Sequence, residues 1–153
     1  MALPNFKYES GLGHVAAYMA SSKPYLSSSI NVPAGGSTVV KVEFPNVSKF
    51  VTVRNMGPTG STPAAGDGFA GDPGYAPLRV GFSHIGVTGS VQQNYMVLAN
   101  GESYTGDFRV TTLYLKAHKD GGALNCTASV IAGMTGISIS DLSQNWSGSS
   151  GVG

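Results

Sequence analysis

The chain has 153 residues, 41% of them hydrophobic and 11% charged, with 9 basic against 8 acidic side chains and a net charge of +1. That length suits one domain able to bury about 70% of its unfolded surface without help from a metal or disulfide. Near-neutral charge gives no electrostatic reason to expect nucleic acid as a direct partner, and the single cysteine, Cys126, excludes an intrachain disulfide framework.

From the N-terminus, "MALPNFKYES" lacks the basic stretch and apolar run of a signal peptide. No apolar run approaches the roughly 20 residues of a membrane helix. "FKYES" is a possible arm, and "GHVAAYMASS" suits one short helix on the strength of its Ala and Met. "HVAAYMA" and "SSSINV" are also weak strand candidates. "STVVKVEF" sets Val40, Val42 and Phe44 on one side and Lys41 and Glu43 on the other, the period of a half-buried strand. A second strand follows at 49–55.

Residues 55–77 then carry six Gly and four Pro in 23 positions. A connection longer than about 15 residues in a compact domain is usually functional or disordered. Phe69 and Tyr75 within it favour a loop that docks on something, expected at a subunit contact or an exposed tip rather than in the core. "LRVGFS" starts a third strand at Leu78, "GVTGS" turns, and "NYMVLA" is a fourth, ended by the turn signal Asn100-Gly101. "DFRVTTLYLKA" from Asp107 reads as the longest strand, pairing across "HKDGG" with "ALNCTASVIA" from Ala123. "GISIS" closes the series, and Val110, Leu113, Leu115, Val130 and Ile131 include core positions. Eight or nine short strands imply an all-β fold, a single jelly-roll β-sandwich before an up-and-down barrel. The domain is assigned to residues 1–140, with 141–153 a flexible Ser/Gly-rich tail carrying Trp146.

Catalytic patterns are poorly supplied. His14, His84 and His118 have no zinc-ligand spacing. "GFSHIG" misses the G-x-S-x-G nucleophile elbow, and Ser83 and His84, adjacent on a strand, point to opposite faces. Asp67 and Asp72 on a Gly-rich loop suit a hard cation but lack EF-hand spacing, and Asp-Gly also serves turns in its own right. Cys126, on the same side of its strand as Leu124 and Ala128, reads as a buried inert thiol. The triplets starting at Asn46, Asn125 and Asn145 match the glycosylation pattern by chance. No catalytic activity and no cofactor are expected.

The segments "LRVGFSHIGVTGS", "NYMVLANGESYTGDFRVTTLYLKA" and "SVIAGMTGI" resemble the single jelly-roll vertex (penton) and minor capsid proteins of large icosahedral double-stranded DNA viruses. The resemblance spans roughly 78–139, under half of the chain, and its motifs record strand packing. It implies a homopentamer at each fivefold vertex, set among double jelly-roll major capsid proteins and other minor capsid proteins, in a virion assembled in the host cytoplasm. A charge content under half the usual share of about 25% fits a surface that faces other subunits. The contact candidates are then Phe69, Asp72 and Tyr75 in the loop, Arg79 and Arg109 at strand edges, and Trp146 as an anchor in the tail. The alternative is a carbohydrate- or receptor-binding jelly roll using the 55–77 loop as its site. A cupin-like enzyme would need a His and Glu ligand cluster that the sequence does not contain.

Overall fold

The computed structural model describes residues 13, 15–19, 23–34, 38–59, 74–89, 93–118 and 124–142. Eight strands run in chain order: β1 (Lys23–Val32), β2 (Val40–Glu43), β3 (Ser48–Pro58), β4 (Leu78–Gly81), β5 (Met96–Leu98), β6 (Ser103–Gly106), β7 (Thr112–Ala117) and β8 (Cys126–Met134). They form two four-stranded sheets of order β1-β8-β3-β6 and β2-β7-β4-β5. The first strand pairs with the last, the second with the seventh, the third with the sixth and the fourth with the fifth, all antiparallel. This nesting is that of a jelly roll, one long paired ribbon wrapped into a sandwich. Only β4 and β5 are consecutive strands of one sheet; every other link crosses between the layers.

Alternation sets the core. Val42 and Phe44 are buried while Lys41 and Glu43 point to water, where they pair at 2.6 Å. On β8 the inward set is Cys126, Ala128, Val130, Ala132 and Met134, mostly small, and the same cluster holds the larger Leu78, Leu98, Leu113 and Leu115. Burying each of those leucines contributes about 1.5–3 kcal/mol.

Several sequence-based expectations are corrected. The predicted longest strand from Asp107 is shortened: 107–111 cross from the sheet of β6 to the other sheet, and β7 holds 6 residues from Thr112 against 11 in β3. Buried Ser48 holds that crossing, its Oγ donating to the Phe108 carbonyl (2.6 Å) and accepting from Val110 N (3.1 Å). Phe108 folds onto Gly106, where a Cβ would lie 2.1 Å from its ring, and packs against Phe82 and Tyr104. The expected β7–β8 hairpin does not exist, because the two strands lie in opposite sheets and β8 pairs with β1 and β3. Residues 84–88 form a short helix, α2 (His84–Thr88), after α1 (Val15–Met19). "GISIS" is no strand: Ile137 is buried in a loop whose backbone bonds Val47, and a 3-10 turn covers Ile139–Asp141. Of the core candidates, Leu113, Leu115 and Val130 are buried, Val110 packs at the margin, and Ile131 stands 43% exposed. The "FKYES" arm lies outside the described residues.

Candidate contact surfaces

One end of the sandwich gathers the end of β3, the start of β4 and the β5–β6 turn. The 55–77 segment is rooted here, and its ends are not at an exposed tip: β3 runs to Pro58, and Asn55, Ala76 and Pro77 are buried. Asn55 follows Val51 and Val53 on the inward side of β3. Its Nδ2 donates to the carbonyls of Ala76 (2.9 Å) and Leu98 (3.0 Å), and its Oδ1 accepts from Gly57 N (2.9 Å). Gly57 has a φ of +90°, a backbone state that favours glycine. Asn100 completes the clasp from the β5–β6 turn, accepting from Ala76 N (3.0 Å) and donating to the Gly74 carbonyl (2.6 Å). Two asparagines thus fix the neck of the segment. Tyr75 lies in that neck, half-buried. Phe69 and Asp72, with Asp67, fall outside the described residues, as does Trp146.

Arg79 is not at a sheet edge. It lies on β4, flanked by β7 and β5, and is only 8% exposed. Ser83 caps α2, accepting from Gly86 N (3.0 Å), and Gly89 ends the helix in the left-handed region at φ 70°. The helix therefore folds back over the outer face of the sheet. There Arg79 Nη1 donates to the Val87 (3.3 Å) and Thr88 (3.1 Å) carbonyls, and Nε donates to His118 Nδ1 (2.9 Å). The guanidinium also sits 4.3 Å from the centre of the Tyr95 ring. Cations suit a helix C-terminus and aromatic faces, so Arg79 pins α2 and the segment before β5 onto the sheet. Arg109 stands exposed in the β6–β7 crossing.

The remaining polar chemistry is likewise structural. Ser83 and His84 are not on a strand as expected; Ser83 caps α2 while His84, exposed, meets the edge of Tyr114. Burial pushes the Cys126 thiol up to about 11, and its Sγ donates to the Ala76 carbonyl at 3.2 Å. Such a thiol is protonated and a poor nucleophile at neutral pH. Glu102 accepts from Ala99 N (2.7 Å) within its own turn. Among the described residues no group of His, Cys, Asp and Glu could hold a metal ion, and no helix is long and apolar enough to cross a membrane.

Sequence reasoning missed the outer face of the β1-β8-β3-β6 sheet. Leu26, Ile131, Thr52 and Thr105 lie side by side across its four strands, with Leu26 66% exposed. The neighbouring row is Ser129, Arg54 and Ser103. The signal was present in the alternation, since Ile131 shares its phase with Thr127 and Ser129 rather than with Val130.

No protein-family model matches the chain, and no curated protein matches it. Among solved structures, a chain described by the words "Bacillus endospore appendages form a novel family of disulfide-linked pili" is 15% identical, with 74% of this chain and 89% of that chain covered at a TM-score of 0.35. A likeness that low carries no argument about this chain.

Proposed function

We propose that the chain is a structural subunit of a viral capsid, with the pentameric fivefold vertex as its place in the shell. The observation that carries this reading is the row of uncharged and apolar side chains, Leu26, Ile131, Thr52 and Thr105, on the outer face of a jelly-roll sheet. Exposed apolar residues gathered on one face mark contact surfaces, and subunit interfaces are depleted in charge. The polar residues add to the support, because Ser48, Asn55, Arg79 and Ser83 are engaged in holding loops in place. In this role the subunit closes into a ring with copies of itself and meets double jelly-roll major capsid proteins and other minor capsid proteins in a virion assembled in the host cytoplasm. Light scattering and electron microscopy of the purified chain test it. A pentamer is expected, weakened by Ile131→Lys; a monomer at high concentration would refute it.

The Asn55–Asn100 clasp favours a second reading, a carbohydrate- or receptor-binding module presenting the 55–77 segment. A fixed neck keeps a binding segment in one place at low entropic cost. Glycan binding by a clean monomer would select it.

A further inference from the structure

We propose that Arg79 and Lys116 form the floor of an oxyanion site, taking a carboxylate or a phosphate-type group on the outer face of the β2-β7-β4-β5 sheet. The two residues are direct register partners on β4 and β7. Like charges placed opposite one another across a sheet are destabilising. A buried or half-buried cation is also normally paired with an anion. Neither condition is relieved here: among the described residues neither side chain forms an ion pair, and the ion pair observed, Lys41 with Glu43, lies on β2. Among the described residues none of the partners of Arg79 is a carboxylate: they are the Val87 and Thr88 carbonyls, the accepting Nδ1 of His118 and the Tyr95 ring. Burial and then the charge of Arg79 hold the Lys116 ammonium below its ordinary pKa.

The site is also built in advance. Gly89 lies so close that a Cβ there would be 3.1 Å from Arg79 Nη1 and 3.3 Å from the Tyr95 ring, so the guanidinium is fixed between helix end and aromatic. With Nε and Nη1 engaged by His118 and the two helix carbonyls, Nη2 and the Lys116 ammonium are the donors that a planar or tetrahedral oxyanion would meet. Among the described residues these two adjacent positive charges have no acidic partner, and a bound anion would remove the repulsion between them. The anion comes either from solution or from a carboxylate of a second copy.

Thermal unfolding of the full chain, with millimolar inorganic phosphate at constant ionic strength, tests the site. Phosphate is expected to raise the unfolding midpoint with a saturable dose response. Lys116→Gln is expected to melt above the unsubstituted protein without phosphate, because the repulsion is gone, and to bind phosphate about tenfold or more weakly. Lys116→Glu, which supplies a carboxylate opposite Arg79, should raise the midpoint further and abolish the response. A flat response in the unsubstituted protein, or a Lys116→Gln midpoint below it, overturns the proposal. Light scattering in the same buffers separates the two sources. Dissociation of oligomers at the phosphate concentrations that raise the midpoint assigns the anion to a second copy, and an unchanged size assigns it to solution.

Discussion

Asn55→Ala removes the central tie of the 55–77 neck, and its cost follows from the contacts. The side chain is fully buried and makes three hydrogen bonds, to Ala76 O, Leu98 O and Gly57 N. Ala76 O keeps the Cys126 thiol as a weak donor at 3.2 Å. The other two groups lose a partner where water does not reach, at about 1–3 kcal/mol each. Adding a small cavity, the total is about 4 kcal/mol, a large share of the 5–15 kcal/mol typical of a domain. At about 2–4 °C per kcal/mol for a chain of this size, the melting midpoint falls by roughly 8–16 °C. Asn100→Ala, which loses its bonds to Ala76 N and Gly74 O at a half-buried site, should cost about 1–2 kcal/mol because water can replace the side chain. Urea unfolding followed by circular dichroism measures both. An Asn55→Ala loss under about 1 kcal/mol, or one smaller than that of Asn100→Ala, would refute the clasp.

Three further outcomes follow from burial and backbone. Leu115→Ala should cost about 2–5 kcal/mol by leaving a core cavity, whereas exposed Ile131→Ala should stay within about 0.5 kcal/mol in the isolated subunit; equal losses in urea melts would contradict the sheet assignment. Ser29 has a φ of 59° at the bulge between Ser27 and Ile30, so Ser29→Gly should stabilise by up to about 1 kcal/mol and Ser29→Val should destabilise by more, readable in the same melts. Cys126 should resist iodoacetamide at pH 8 until denaturant is added. Its thiol ionises near 9.0 when exposed but near 11 when folded, so rising pH across that window strips protons from the unfolded chain alone. Stability therefore falls from pH 9 to 11, and Cys126→Ala should remove that part of the slope in pH-dependent urea melts.

The strands' faces were legible in the sequence and their partners were not. Alternation at Val40, Val42 and Phe44, and at Cys126 and Ala128, reports which side meets a core, because one face of a sheet is dry. It says nothing about which strand lies alongside. β7 and β8 are neighbours in the chain and both alternate cleanly, yet each is a central strand of a different sheet, since a jelly roll pairs strands by nesting rather than by succession. The crossing at 107–111 was hidden for a related reason: Phe108 and Val110 keep the alternating rhythm while a distant hydroxyl, Ser48, holds them out of the ladder.

The residues that tie the fold together share one trait. Ser48, Asn55 and Arg79 are polar or charged side chains with almost no exposure, set among strand residues that are otherwise apolar inside and polar outside. Ser48 and Asn55 are satisfied by the backbone of a crossing segment or a loop root, which explains their burial. Arg79 alternates outward from Leu78 and Val80, so the sequence suits it to a contact surface, and a five-residue helix too short to stand out in sequence is what covers it. The helix carbonyls and His118 Nδ1 accept its hydrogen bonds, and among the described residues no carboxylate balances its charge beside Lys116. Hydrogen bonding therefore accounts for the position of the guanidinium, while its charge, repeated on the next strand, is the part of the structure that calls for an anion.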